Sequence, residues 1–166
     1  MTAEELKRLL GLVPLEREGG FFAETYRTPE VVPAGILERG RPGERALATT
    51  IYYLLTPETF SALHRLRSDE LFHFYLGDPV EMLQLLPGGD GRVHLLGADL
   101  AAGMRPQILV PRGVWQGTRL IAGGRLALLG TTVSPGFDPA DYEQGERQAL
   151  LAAYPPYARQ IEALTR

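Results

Sequence analysis

Apolar and polar positions alternate along most of this chain in short runs separated by glycine and proline, and the alternation gives way to helical spacing only near the two ends. Period-two runs of this length, rich in β-branched and aromatic residues, predict strands. The first is Gly19 to Arg27, closed by Pro29 and Pro33. Eight more follow: Leu47 to Leu55, Ser61 to Leu66, Glu70 to Leu76, Val80 to Leu86, Arg92 to Leu96, Gln107 to Pro111, Val114 to Leu120 and Arg125 to Ser134. Pro87-Gly-Gly-Asp-Gly91 predicts a hairpin connection, because glycine supplies the positive φ that tight turns require. Residues 38 to 45, charged and broken by glycine and proline, predict an exposed loop. At the amino end Thr2-Ala-Glu-Glu5 has the form of a capping box before a short helix, apolar at Leu6, Leu9 and Leu10, that stops at Gly11. After Pro135-Gly136 the pattern turns helical: Gln148 to Ala153, a break at Pro155-Pro156, then Tyr157 to Leu164. Many short strands with turn signals between them predict an all-β sandwich or barrel with helical ends.

Composition narrows the function. The chain has 166 residues, 45% of them hydrophobic, which suits one domain over residues 1–166, its barrel core at about 19–136 and its helical ends at 2–10 and 146–164. A net charge of −3 offers no clustered basic surface to displace counterions from phosphates, so nucleic acid is not an expected partner. Cysteine is absent, which removes disulfides, thiolate nucleophiles and zinc–thiolate sites. No run of about 18 apolar residues occurs and the first residues do not form a signal peptide, so the expectation is a cytoplasmic protein without membrane partners.

Chemistry concentrates in Phe60 to Gly77. His64 precedes Glu70 by six positions and Gly77 follows Glu70 by seven. Strand alternation puts His64 and Leu66 on one face, and Glu70, Phe72 and Phe74 on one face, with His73 pointing the other way. If the two strands are neighbours in a barrel, His64 and Glu70 converge inside it. An imidazole and a carboxyl in an apolar cavity make an acid and base pair, could hold a metal, or could form a satisfied buried hydrogen bond with no chemistry, and spacing alone leaves these open. Trp115 and Tyr52 are candidate ligand-binding aromatics, or ordinary core. Arg27, Arg65 and Arg119 could receive a phosphate or carboxylate, or lie solvated at the surface.

The His64–Glu70–Gly77 spacing, with Pro111-Arg-Gly113-Val-Trp-Gln116 further on, resembles the two signature motifs of the cupin superfamily. The usual motifs read His-x-His, three or four residues, Glu, six residues, Gly, and later Pro-x-Gly-x-x-His. Here Leu66 and Gln116 occupy two of the four metal-ligand positions. The match widens with Glu18 to Arg27, Thr49 to Leu55, Leu96 to Leu100, Pro106 to Gln116 and Val133 to Asp138, in the order of the cupin subfamily of uncharacterised function called DUF985, or Cupin_5. The resemblance implies an RmlC-like cupin jelly-roll β-barrel and a homodimer, with the strand at Phe21 and Phe22 pairing across subunits. The subfamily usually carries His-Pro before Glu-Gly-Gly, where Glu16-Arg17 stands here, while Leu66 and Gln116 fit a subfamily that has lost the full metal set. Gly20-Phe-Phe-Ala-Glu24 also resembles a segment of the dTDP-sugar 3,5-epimerases, and Leu63-His64 sits where those enzymes carry their catalytic base.

Three expectations result. One is a sugar or sugar-nucleotide isomerase or epimerase that needs no tightly bound cofactor, with His64 as base, Glu70 orienting it, and Gln116, Trp115, Tyr52 and Arg27 around the ligand. Another is a barrel that binds a small polar molecule without turning it over. The last is a weak enzyme holding a divalent transition metal on His64, Glu70 and Gln116; leucine cannot ligate, and an amide oxygen is a poor ligand beside imidazole.

Overall fold

The computed structural model describes residues 1–37 and 43–166. In chain order the elements are α1 (Ala3–Leu10), β1 (Val13–Pro14), β2 (Phe21–Arg27), β3 (Val31–Val32), β4 (Arg45–Ala46), β5 (Thr49–Leu55), β6 (Phe60–Leu66) and β7 (Asp69–Gly77). They continue with β8 (Val80–Leu85), β9 (Gly91–Leu96), β10 (Gln107–Val110), β11 (Trp115–Leu120), β12 (Ala127–Ser134), β13 (Tyr142–Gln144), α2 (Arg147–Ala153) and α3 (Ala158–Ala163), with single 3-10 turns at Pro139–Asp141 and Pro155–Tyr157. The eight strands expected between Leu47 and Ser134 correspond in order to β5 through β12.

The strands form two facing antiparallel sheets, in the orders β1-β2-β5-β12-β7-β10 and β13-β6-β11-β8-β9, with β3 and β4 paired separately. Inward-facing residues of both sheets, among them Phe72, Met82, Leu96, Ile108 and Leu129, make the central core. Outer faces are covered only in places. Leu63, Leu83 and Leu85 of the second sheet pack under Leu150, Tyr154, Ile161 and Leu164 of the carboxy-terminal helices. Leu54 and Leu128 of the first sheet, with Leu126 just ahead of β12, pack against Leu6 and Leu12 at the amino end.

α1 forms with its capping box in place: Glu5 N–H donates to the Thr2 hydroxyl at 3.2 Å and Thr2 N–H to the Glu5 carboxylate at 2.8 Å. It ends at Gly11 with φ 64°. Leu6 is buried, but Leu9 is 59% exposed, because three residues on from Leu6 the helix has turned it past the edge of the docked stripe.

Three expectations need correction. β6 and β7 are not neighbours; β6 pairs with β11 and β13, and β7 with β10 and β12, so the corner at Arg67-Ser68 carries the chain from one sheet to the other. Of the loop expected at 38 to 45, residues 38–42 lie outside the described residues; Gly43 and Glu44 are exposed, but Arg45 is buried in β4. Its guanidinium donates to both carboxylate oxygens of Asp141, at 2.8 and 3.0 Å, which supplies the partner a buried cation needs. The stretch after Gly136 does not go directly to helix, since a 3-10 turn and β13 come first, so the two-sheet unit runs past residue 136. β2 itself pairs with β5 of the same chain, with Phe22 packed on the central core and Phe21 toward α1.

Candidate functional site

A β-bulge sets the site. Gln116 on β11 pairs with His64, yet Thr118 pairs with Ser61, so two steps on β11 oppose three on β6. The extra residue in β6 reverses the alternation, and both Ser61 and His64 face the space between the sheets. Opposite it, Gly117 leaves room that a side chain would fill: a Cβ there would lie 3.0 Å from the Ser61 carbonyl oxygen and 3.1 Å from Leu63 Cγ.

His64 is buried, and its Nδ1 lies 2.8 Å from the Ala62 carbonyl oxygen. A carbonyl only accepts, so Nδ1 carries hydrogen and Nε2 is the nitrogen free for chemistry. Nε2 is 2.9 Å from Gln116 Nε2, and the same amide donates to Glu70 Oε2 at 3.2 Å. Glu70 arrives from the facing sheet, so the pair meets across the gap between the sheets and Gln116 bridges it. A third acid joins them: Glu18 Oε2 lies 3.7 Å from His64 Nε2, while Glu18 Oε1 accepts from the Ser61 hydroxyl at 2.7 Å. Tyr53 donates its hydroxyl to the Gly19 carbonyl at 2.8 Å, and Tyr142 of β13 stacks on the His64 ring at 4.9 Å between centroids.

Burial dominates the electrostatics. Desolvation raises the Glu70 carboxyl to about 7 and the neighbouring Glu18 pushes the same way, against the opposing pull of His64 and hydrogen bonds from Thr131 and Gln116. Burial likewise pushes the Tyr53 and Tyr142 phenols up, so both stay protonated donors. Two interior acceptors, Gln116 Oε1 and Thr118 Oγ1, are buried with no partner among the described residues. An unmatched buried amide oxygen costs about 1–3 kcal/mol, and a polar ligand atom reaching it would recover that.

The expected residues divide. His64, Glu70 and Gln116 come together. Trp115 does not: alternation along β11 turns it away from Gln116, and it packs beneath the carboxy-terminal helices with Arg65 at 4.4 Å over its ring. Tyr52 faces outward, edge-on to Tyr75, while its neighbour Tyr53 points in. Arg27 is exposed and forked onto Glu24 at 2.7 and 3.0 Å, and Arg119 pairs with Glu81. Sequence reasoning passed over Glu18, Tyr53, Ser61 and Tyr142. The available signal for Tyr53 was its shared period with Ile51 and Leu55, the apolar side of β5. Glu18 precedes two glycines, and at Gly19 a Cβ would collide with the Phe60 carbonyl, so the chain presses close to β6 at that point.

The donor set fits a transition metal poorly. Leu66 offers no ligand, and Gln116 could contribute only an amide oxygen, a poor donor to a transition metal beside imidazole. Among the described residues no group of three His, Cys, Asp or Glu side chains is arranged to hold a metal ion.

Comparison with known proteins agrees with this architecture. Protein SO0799 from Shewanella oneidensis superposes with a TM-score of 0.88 at 35% identity, covering 100% of this chain and 98% of that one. A hypothetical protein from Leishmania major gives 0.89 at 33% identity, over 99% of both chains. The uncharacterized protein YML079W of Saccharomyces cerevisiae is 29% identical over 158 residues, 89% of this chain and 79% of the yeast protein. The family described as the cupin superfamily (DUF985) matches residues 4–145, and the chain belongs to it.

Proposed function

We propose that this protein catalyses metal-independent proton transfer on a small polar carbonyl compound, a sugar or sugar nucleotide, as an isomerase or epimerase with His64 as the base. The observation that carries the reading is the meeting of His64 Nε2, Glu70 and Glu18 around the bridging Gln116 amide, whose own oxygen has no partner among the described residues. In this reading Nε2 takes a proton from the carbon next to a carbonyl, leaving an enolate. Glu70, raised to about 7, is partly protonated near neutral pH and can return a proton to the carbon framework. Turning the Gln116 amide over would present Oε1 to the newly protonated Nε2, so one residue can serve both protonation states. Glu18 stabilises the imidazolium that forms.

The test is incubation in D₂O with ketoses, aldoses and sugar nucleotides, read by mass spectrometry. Deuterium should enter at the carbon next to the carbonyl of at least one compound. A compound that raises thermal stability by binding, yet takes up no deuterium, would replace the enzyme with a binding module.

A further inference from the structure

Gln116 Oε1 and Thr118 Oγ1 are buried and have no partner among the described residues, and strand pairing fixes where both side chains point. Thr118 stands beside Ser61 of β6 and Met82 of β8, and Met82 belongs to the central core between the sheets. Gln116 stands beside Gln84, whose amide donates at 3.0 Å to the Leu109 carbonyl of the facing sheet. Residues paired across neighbouring strands share a face, so Gln116 and Thr118 both face inward. They lie two positions apart on β11, about 6.6 Å between Cα atoms, the span of a short polyol.

Thr118 adjoins the reacting groups. Its neighbour Ser61 donates to Glu18 Oε1 at 2.7 Å, and Glu18 Oε2 lies 3.7 Å from His64 Nε2. The other donors around His64 are occupied. Tyr53 donates to the Gly19 carbonyl and Tyr142 to Gln144 Oε1, each at 2.8 Å, while the Gln116 N–H₂ is directed at His64 and Glu70. What is left over is acceptors, together with the Thr118 hydroxyl, which can both donate and accept. Arg45, the one buried cation among the described residues, is forked onto Asp141. A carboxylate or phosphate brought in beside Glu18 and Glu70 would lose its hydration with no positive partner. Hydroxyl groups supply the donors that the two orphan atoms lack.

We propose that Thr118, with Gln116 Oε1 beside it, receives hydroxyl groups of the substrate, so that the part entering between the sheets is a neutral polyol, a sugar with its hydroxyls free and no anionic group on it. The proposal rests on the reading of His64 as the reacting centre, and it adds the residue that selects the substrate.

The experiment titrates D-aldohexoses and D-ketohexoses into the intact protein, following the amide resonances of Gly117 and Thr118, with the matching hexuronates as anionic counterparts. At least one neutral sugar should bind saturably, and roughly tenfold or more tighter than its uronate. Thr118→Val removes the hydroxyl and should weaken that sugar by about three- to tenfold, the loss of one neutral hydrogen bond. Thr118→Ser keeps the hydroxyl and should bind nearly as the parent does. The thermal midpoint of ligand-free Thr118→Val should equal or exceed the parent's, because a buried hydroxyl without a partner stabilises nothing. A lower midpoint would mean that the hydroxyl is already satisfied in the free protein, and would overturn the proposal. Equal losses of binding in the valine and serine variants, a uronate bound as tightly as its sugar, or no saturable binding of any sugar would overturn it as well. The deuterium assay separates the two ideas: exchange into a sugar whose KM ignores Thr118→Val sinks the Thr118 contact alone. Sugar binding that depends on the Thr118 hydroxyl, without exchange into any compound, sinks the base role of His64 alone.

Discussion

Two histidines lie in consecutive strands and meet opposite circumstances. His64 of β6 faces inward, with Nδ1 anchored to a backbone carbonyl at 2.8 Å and Nε2 turned toward an amide and two carboxyl groups. His73 of β7 faces out from the six-stranded sheet. Its Nε2 lies 3.3 Å from the Thr132 hydroxyl, its Nδ1 3.3 Å from the Gln107 amide, and its ring parallel to Tyr75 at 6.3 Å. Both have a tyrosine ring alongside, so the aromatic neighbour is not what separates them. The difference is that His73 has neutral partners at long distances, and desolvation lowers its pKa so that the ring stays neutral. His64 has one nitrogen fixed and the other aimed at groups that exchange protons.

The sharpest way to break this contrast is to remove each ring in turn. His64→Asn should cut the rate of deuterium incorporation by about 10²- to 10⁴-fold, the usual contribution of a positioned general base. His73→Asn should leave it unchanged. Equal losses from both would mean that the inward position of His64 confers nothing special.

The contrast was half legible in the sequence. Alternation along Phe60–Leu66 and Asp69–Gly77 sufficed to turn His64 and Glu70 one way and His73 the other, because period two is enforced wherever one face of a strand is buried. The direction of each side chain survived even though β6 and β7 belong to different sheets; what failed was the inference that the strands are neighbours. Ser61 was hidden by the bulge: three residues from His64, it should face away on simple alternation, and the extra residue between them has no marker in its own type. Tyr142 was hidden because its three-residue strand is held by pairing with β6 rather than by a pattern of its own. Trp115 and Tyr52 failed as ligand residues for the opposite reason. Their size drew attention, while the period of their strands placed Gln116 and Tyr53 inside.

The carboxyl beside His64 offers a second test, through the pH dependence of stability. Glu70 has a folded value of about 7 against an ordinary 4.5, so between those values the folded protein keeps a proton that the unfolded chain has released. Stability therefore falls as pH rises from about 4.5 to 7, by about 3 kcal/mol for a group acting alone, and stays lower above that window. Glu70→Gln carries no charge to bury and should lose this dependence. Denaturant midpoints at pH 5 and pH 8 should thus diverge from the parent protein, with the variant gaining relative stability at pH 8. For His73 the sign is reversed: its lowered pKa means that the unfolded chain takes up protons first, so the ring's contribution is lost as pH falls below its ordinary value. A Glu70→Gln variant with the same pH response as the parent would remove the case for a proton held on this carboxyl near neutrality.

The smallest expected effect probes whether the two faces communicate. Gly130 of β12 pairs with Tyr52 on one side and His73 on the other, and Thr131, the next residue, hydrogen-bonds Glu70 inside. A Cβ at Gly130 would lie 2.6 Å from Tyr75 Cε2, so Gly130→Ala must displace that ring from the sheet. Tyr75 is 47% exposed and can swing into solvent, which sacrifices its edge-on contact with Tyr52 at 6.0 Å, worth about 0.5–1.5 kcal/mol. Alanine also restricts the unfolded chain, recovering about 0.4–1 kcal/mol, so the net change in stability should be within about 1 kcal/mol. The imidazole resonances of His73 should move as Tyr75 leaves, while those of His64 stay in place, because β12 is clamped between β5 and β7 along its whole length. Movement at His64 would mean that a displacement on the outer face passes through Thr131 to Glu70, and the two histidines would then belong to one connected system rather than two.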